Sequence, residues 1–296
     1  MIFNSKFLES ANLGKNNWWR FALSIVMILA FYLLGTFLAG LVGIYLNNGT
    51  RPKGAMSEFI IDHSNIFVSK TVLNLEFIVG FIGLFLAVKF IHKRNFITLV
   101  TSLSKINWKI IFSGSIVYFI FYLIVEIIYS YYNKNSFQFA LHTDNFLPLA
   151  LISFLMVPIQ TSFEELFHRG YFLQMLSYYL RYPWISLLIT SVLFGIVHVK
   201  HPEYLIFYCG IGLFLGLITI VSNSLEISIG IHAVANLFGL FISETFDGLS
   251  LFYHNKNPTN VFIWLIPIIL IFLLVLNKYG SSNLKLMFVK TSREKE

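Results

Sequence analysis

Apolar stretches separated by short polar joints run along almost the whole chain. A helix that crosses the hydrocarbon core of a bilayer needs about 20 mostly apolar residues, and about eight stretches approach that length. They are Phe21–Leu46, Thr71–Ile91, Ile110–Tyr132, Phe146–Thr161, Trp184–Val199, Tyr204–Ser222, Ile227–Ile242 and Val261–Leu276. The pattern predicts an all-α, polytopic transmembrane helical bundle of about eight spans. We expect residues 1–296 to form a single integral-membrane domain.

The composition supports this prediction and excludes a soluble protein. The chain is 57% hydrophobic and 12% charged, whereas a soluble domain carries about 25% charged residues. The net charge of +7 does not indicate nucleic-acid binding, because lysines and arginines collect in the cytoplasmic loops of membrane proteins. Most of the 21 lysines and arginines fall on one side of the predicted spans. We therefore expect a multi-pass protein with both termini in the cytoplasm, and the Ile-, Asn-, Lys- and Phe-rich composition favours a bacterial cytoplasmic membrane.

One region conflicts with a simple alternation of spans. Residues 146–182 are too many for one ordinary crossing, and the alternation places Glu164 and His198 at opposite ends of their helices. A shared site needs both side chains at one depth. Because proline removes a backbone donor and clashes with the preceding turn, we expect a kink or break near Pro158, followed by a second buried helix that carries the glutamates.

The polar positions that interrupt the apolar pattern begin with Glu164, Glu165 and Arg169. An ionisable residue in a membrane segment costs at least a few kcal/mol and is rarely there without a role. Glu165 and Arg169 lie one helical turn apart, where ion pairing is easy. We expect this pair to brace the helix and to leave Glu164 for chemistry as a general base. The alternative is a structural cluster of charges near the lipid headgroups.

Two further pairs occur at helical spacing, Phe194 with His198 and His232 with Asn236. His232 and Asn236 share a helix face, and both can donate hydrogen bonds to a developing oxyanion. Each histidine has an alternative interpretation as a hydrogen-bonded structural residue, and Phe194 as an ordinary packing aromatic. Glu126, inside the third predicted span, either lines the cavity or pairs with a lysine or arginine from another helix, and the sequence does not choose between the two.

The three motifs, in this order, resemble those of the CAAX protease and bacteriocin-processing family of intramembrane endopeptidases, also described as type II CAAX prenyl endopeptidase-like. The resemblance covers roughly residues 150–245, which we take as the catalytic core. It implies a helical bundle that encloses a polar cavity. It also implies that Glu164 acts as the base and positions a water molecule together with His198.

In this family the third motif stabilises the oxyanion, which implies that role for His232 and Asn236. Glu165 and Arg169 match the supporting pair, and Phe194 lies in the second motif.

Whether a divalent metal such as zinc takes part stays open. If a metal binds, we expect Glu164, His198 and His232 to be its ligands. His168 stands where the family usually has an aromatic residue, one helical turn after Glu164. Paired metal ligands use the same spacing. The alternative is that the imidazole of His168 replaces an aromatic ring in packing.

The sequence thus predicts an intramembrane endopeptidase that hydrolyses a peptide bond by glutamate- and histidine-activated water. The expected partners are the lipid bilayer and a hydrophobic or membrane-associated peptide, such as a pheromone or a bacteriocin leader. Two alternatives belong to other classes: a non-catalytic bacteriocin-immunity or scaffold protein, and a small transporter, for which buried charges are also typical.

Overall fold

The chain is helical throughout the part that the structure describes. The computed structural model describes residues 5–46, 74–132, 143–198, 202–245 and 258–280, with positions 282, 285 and 288. Its principal helices are α1 (Trp18–Leu46), α2 (Leu75–Leu86), α3 (Trp108–Tyr132), α4 (Thr143–Glu165), α5 (Gln174–Leu180), α6 (Pro183–His198), α7 (Leu205–Ser222), α8 (Glu226–Thr245) and α9 (Ile266–Tyr279). The only extended pairing among the described residues is one bridge between Thr101 and Ser224. The predicted all-α class is confirmed.

The helices are long and apolar enough for a multi-pass membrane protein. Five segments could cross a bilayer by length and composition: Trp18–Tyr45, Trp108–Tyr129, Ala150–Leu180, Leu205–Ser222 and Phe262–Tyr279. Two shorter apolar helices are Pro183–His198 and Glu226–Phe238. The count of about eight spans stays a prediction, and residues 71–73 and 199 of the predicted spans lie outside the described residues.

Of the kink or break expected near Pro158, the break is wrong. Helix α4 runs past Pro158 and continues through a π-helical segment, Leu166–Leu173, into α5. A proline removes only one backbone donor, and membrane helices tolerate that loss where neighbouring groups satisfy the backbone. The irregularity comes after the glutamates instead, as π-helical turns, which often occur at functional sites.

A tight turn separates α5 from α6. Arg181 adopts a left-handed conformation, φ 63°, and ends α5. α6 then begins at Pro183, where a proline costs no helical hydrogen bond. Glu164 precedes this turn by about as many residues as His198 follows it.

The described helices form two compact units that divide between Glu164 and Glu165, consecutive residues of one continuous helix. The first unit contains α1, α2 and α4, and the second contains α3 and α5 to α9.

In the first unit, α1 and α2 pack closely at Gly35. A Cβ atom on Gly35 would lie 2.5 Å from the Cα of Glu76. The Tyr32 hydroxyl and the Thr36 hydroxyl each donate to one carboxylate oxygen of Glu76, both at 2.9 Å. The ring of Phe163, from α4, stacks on Tyr32 with 6.0 Å between centroids. The carboxylate of Glu76 is therefore fully hydrogen-bonded as part of helix packing.

In the second unit, glycines again allow backbones to approach. A Cβ on Gly212 of α7 would lie 3.0 Å from the Cα of Ser191 in α6. A Cβ on Gly230 of α8 would lie 2.3 Å from the carbonyl oxygen of Ile111 in α3. Small residues at such crossings are typical of membrane helices, where close van der Waals packing drives association. These two contacts set the spacing of α6 against α7 and of α3 against α8.

The start of α8 is anchored by distant segments. Asn223 adopts a left-handed conformation, φ 57°, and its side-chain oxygen accepts a hydrogen bond from the Ser5 hydroxyl at 2.8 Å. The Leu225 amide donates to the Val100 carbonyl at 2.7 Å. These contacts fix the first turn of α8, two turns before His232.

We expect Gly230→Ala to destabilise the second unit. The added methyl group would clash with the backbone of Ile111, and overpacking of this kind costs about 1–3 kcal/mol. The measurement is thermal unfolding of the purified protein in detergent. Gly210→Ala is the matched control, since its Cβ would meet only the flexible end of the Leu265 side chain at 3.0 Å. Equal unfolding temperatures for the two variants would contradict the packing argument.

Candidate active site

The carboxylate of Glu165 is the centre of a buried polar cluster. The side chain is fully buried, and its Oε1 accepts a hydrogen bond from Arg169 Nη1 at 2.7 Å. The same oxygen lies 2.8 Å from Nδ1 of His232. A buried carboxylate must be paired and hydrogen-bonded, and here Arg169 and His232 both donate to Oε1 of Glu165. Glu165 thereby joins the π-helical segment to α8.

Arg169 is held from three directions. Besides its pairing with Glu165, the guanidinium lies 4.1 Å above the ring centroid of Phe194. Its Nη2 approaches the Gly212 carbonyl at 3.5 Å. A cation over an aromatic face contributes up to about 2 kcal/mol when both groups are desolvated, as they are here. Arg169 therefore links the glutamate motif to α6 and α7.

Phe194 contacts every imidazole of the cluster. Its ring stacks on His198, with 3.9 Å between centroids and 26° between planes. It meets His168 and His232 edge-on, at 5.3 and 5.8 Å. Phe194 is almost fully buried. Its packing is therefore that of a core aromatic, and what it packs against is the polar cluster itself.

The hydrogen bonds of the two histidines determine which nitrogen carries the proton. His198 Nδ1 lies 2.8 Å from the Phe194 carbonyl oxygen, which can only accept, so Nδ1 must donate. His232 Nδ1 likewise donates to the Glu165 carboxylate. In a neutral imidazole one nitrogen is a donor and the other an acceptor. Both neutral rings therefore offer a lone pair on Nε2.

Glu164 completes a group of three ligand atoms. Glu164, His198 and His232 each offer one such atom, and these atoms all lie within 4.8 Å of one another. Glu164 and His232 are buried and His198 is half-buried. The Gln160 side-chain amide donates to Glu164 Oε1 at 3.1 Å. The structure thus brings the carboxylate and both imidazoles to one point.

His168 and Asn236 take different positions. Among the described residues, the three-atom group does not include His168. The His168 ring packs edge-on against Phe194 and lies 6.4 Å from the His198 ring, which fits the packing interpretation of this position. Asn236 is half-buried one turn after His232 in α8.

The donor set fits a divalent metal. Catalytic zinc sites commonly use three protein ligands and leave one position open. Two imidazole nitrogens and one carboxylate oxygen match that set. A metal-binding histidine usually donates its other N–H to a carboxylate or a carbonyl, as His232 and His198 both do here.

Sequence reasoning missed two supports of this cluster. Gln160 lies one turn before Glu164, and that spacing was a usable signal. The carbonyl of Leu99 was not predictable, because it comes from a distant segment. A Cβ on Gly170 in the π-helical segment would lie 2.9 Å from that oxygen. Gly170 therefore lets the segment that carries Leu99 pack directly behind Arg169.

The comparisons with known proteins cover the same region. Residues 143–238 match the sequence profile of the family described as Type II CAAX prenyl endopeptidase Rce1-like. The chain is also similar to the uncharacterized protein YyaK of Bacillus subtilis (strain 168). The two are 32% identical over 247 residues, which is 78% of this chain and 80% of the relative. No solved structure matches the chain.

We expect Arg169→Met to lower the free energy of unfolding by about 3–5 kcal/mol, because removal of one partner leaves Glu165 as an uncompensated buried charge. Glu165→Gln with Arg169→Met should recover much of the loss, since no charge of the pair then remains. Unfolding in detergent micelles, followed for both single variants and the double variant, measures the coupling. Additive losses would show that the pair does not act as a unit.

Proposed function

The chain belongs to the type II CAAX prenyl endopeptidase Rce1-like family, and from that membership we propose that it hydrolyses a peptide bond in a hydrophobic or membrane-associated peptide. The observation that carries this proposal is the convergence of Glu164, His198 and His232, whose ligand atoms all lie within 4.8 Å of one another. A carboxylate and a neutral imidazole at one point have the chemistry to hold and deprotonate a water molecule.

The first step uses the two acceptors that face the water. The water donates one hydrogen bond to the Glu164 carboxylate and the other to Nε2 of neutral His198. This arrangement leaves a lone pair of the water oxygen free for attack. As the oxygen bonds to the peptide carbonyl carbon, the water proton passes to Glu164 and the carbonyl oxygen becomes an oxyanion.

The second step stabilises and resolves that oxyanion. A neutral His232 has no proton on Nε2, since its proton sits on Nδ1 against Glu165. His232 therefore acts as an oxyanion donor in its protonated form, beside the side-chain amide of Asn236. When the tetrahedral intermediate collapses, the carbon–nitrogen bond breaks and the proton on Glu164 goes to the leaving amine.

The oxyanion role requires a proton on Nε2 of His232 as well as on Nδ1. Glu164, Glu165 and Arg169 together carry one net negative charge. An imidazolium at His232 brings this set to neutrality, and a buried set of charges is stable only when its members are paired. Glu165 and Arg169 thus act as positioning residues for His232 and do not touch the substrate.

A divalent metal would bind Glu164, His198 and His232, the three residues that the donor set selects. When bound, such a metal supplies Lewis-acid activation of water and of a carbonyl oxygen. In that case His232 would serve through Nε2 as a ligand and not as an oxyanion donor.

The buried position of the cluster supports an apolar substrate. Glu164 and His232 are 6% and 4% exposed, and exclusion of bulk water strengthens every electrostatic interaction at such a site. The helices on which they lie are apolar along most of their length. A hydrophobic peptide delivered from the bilayer fits these surroundings, as a pheromone or a bacteriocin leader would.

We expect Glu164→Gln to abolish hydrolysis while leaving the fold intact, because glutamine keeps the size of glutamate but cannot take a proton. The assay uses the full chain in liposomes with a mixture of hydrophobic peptides in water enriched in heavy oxygen. Mass spectrometry then detects fragments whose new carboxyl terminus carries the heavy isotope. Near wild-type labelling by Glu164→Gln would refute Glu164 as the base.

Glu76→Gln is the matched control for this assay, since Glu76 is a membrane carboxylate held by Tyr32 and Thr36. It should label the fragments normally. An active wild-type protein that loses hydrolysis on chelation and regains it with zinc would make His232 a ligand. A wild-type protein that cleaves none of the peptides would favour the scaffold or transporter alternatives.

We expect Phe194→Leu to lower turnover on the order of a hundredfold, because small misplacements of a catalytic group have effects of that size. The variant removes the ring on which His198 stacks and over which Arg169 lies. Phe207→Leu is the control: Phe207 is also buried, and its ring packs against Tyr208 and Phe262. Equal turnover of the two variants at equal thermal stability would remove Phe194 from the positioning machinery.

A further inference from the structure

A second buried carboxylate lies outside the cluster described above. Glu126 in α3 is 3% exposed, and neither of its carboxylate oxygens has a hydrogen-bond partner among the described residues. An intramembrane charge without a partner is costly and marks a functional site more often than not. Glu126 differs in this respect from Glu76, both of whose carboxylate oxygens accept hydrogen bonds.

A buried hydrogen-bond donor without an acceptor among the described residues, the indole N–H of Trp264, lies among aromatic rings of the same helix, α3. Trp264 is 5% exposed, and in the described structure its indole nitrogen has no acceptor. Its ring lies 4.8 Å from Tyr122 and 6.2 Å from Tyr129, centroid to centroid. Tyr122, Glu126 and Tyr129 recur at helical spacing on one face of α3. Glu126 is also close enough to Tyr122 for an electrostatic interaction.

The chemistry of this group selects a cation. Ring faces attract an ammonium group, and a nearby carboxylate adds a full negative charge. The indole N–H then suits an acceptor next to the ammonium, such as a peptide carbonyl. Neither carboxylate oxygen of Glu126 has a hydrogen-bond partner among the described residues. Within the described structure, no lysine, arginine or histidine therefore hydrogen-bonds to this carboxylate.

The position of Glu126 relative to His232 follows from the register of two helices. Ser115 in α3 donates to the Gly230 carbonyl at 3.1 Å, and the Phe119 ring lies 4.8 Å from the Phe238 ring. The two helices therefore run parallel. By these two contacts Glu126 lies roughly 14–20 Å beyond the level of His232, at 1.5 Å per residue.

We infer that Glu126 and Trp264, with the rings of Tyr122 and Tyr129, bind the ammonium group of a lysine side chain in the peptide substrate. This inference rests on the proposed peptidase function. Because an extended chain spans at most about 3.3–3.6 Å per residue, an axial separation of roughly 14–20 Å corresponds to about four to six residues from the scissile bond, less the reach of the lysine side chain. A hydrophobic peptide with one distant positive charge is the substrate class that follows.

The test starts from a peptide that the wild-type protein hydrolyses in liposomes. Variants of that peptide carry an acetylated amino terminus and a single lysine, which is moved one residue at a time away from the scissile bond. With the wild-type protein, kcat/KM should rise by about tenfold or more at one distant position, the range expected for a desolvated cation over aromatic rings. Glu126→Gln should lose that increase and should hydrolyse the lysine-free peptide at the wild-type rate.

Glu76→Gln is the matched control and should keep the positional preference. Thermal unfolding of both variants excludes a general loss of structure. The inference is overturned if Glu126→Gln retains the preference, or if the wild-type protein shows no preference at any position.

A binding measurement separates this inference from the peptidase proposal. Tryptophan fluorescence of the full chain in vesicles of phosphatidylglycerol is titrated with the lysine-containing peptide and with its norleucine analogue. A response to lysine alone, absent in both Trp264→Phe and Glu126→Gln, supports the site even if no peptide is hydrolysed. Equal responses to both peptides overturn it.

Vesicles that also contain phosphatidylethanolamine test a lipid amine as the occupant. If the ethanolamine lipid alone produces the Trp264-dependent response and the peptide adds nothing, the site belongs to a lipid headgroup and the substrate assignment is wrong. If the peptide response persists in both vesicle types, the assignment to the peptide holds.

Discussion

The pairing of the Glu165 carboxylate inside a low-dielectric bundle is the constraint on which the rest of the site depends. Water cannot satisfy this fully buried charge, so Arg169 and His232 must. The guanidinium of Arg169 in turn packs over the face of the Phe194 ring, and the His198 ring stacks on the same phenylalanine. One electrostatic requirement therefore sets the positions of both imidazoles. Loss of any member leaves another polar group buried without a partner, which explains why the cluster is expected to behave as a unit.

Backbone geometry makes this pairing reachable. The π-helical segment Leu166–Leu173 follows the two glutamates directly, and Gly170 within it admits the Leu99 carbonyl. The tight turn at Arg181 then leads into α6. The π-helical turns and the left-handed Arg181 are departures from regular structure that the site uses.

The intramembrane carboxylates differ in the hydrogen-bond and ion-pair partners that surround them. Glu76 is satisfied by two hydroxyl groups and belongs to helix packing. Glu165 accepts from Arg169 and His232 through Oε1, whereas its Oε2 has no hydrogen-bond partner among the described residues, and it supports catalysis in the proposed mechanism. Glu164 accepts from the Gln160 amide and lies beside two imidazoles. Neither carboxylate oxygen of Glu126 has a hydrogen-bond partner in the described structure, and a carboxylate in such surroundings gains stability from a proton or a cation. This difference in hydrogen bonding, and not the presence of a charge alone, distinguishes Glu164 and Glu126, which we assign to function. Glu76 and Glu165 brace the fold.

The sequence by itself determined the class, the family and most helix boundaries. The apolar stretches predicted the ends of α1, α3, α7 and α8 to within about four residues, the usual error at helix ends. They could do so because a membrane helix makes all its backbone hydrogen bonds within its own apolar segment. The i, i+4 spacing of Glu165 and Arg169 likewise made their ion pair predictable. Only the tertiary structure decided that the helix continues past Pro158, that Phe194 holds three imidazoles, and that Nδ1 of His232 is committed to Glu165. These features depend on contacts between residues far apart in sequence, and a lone proline, phenylalanine or histidine carries no local signal of its partner.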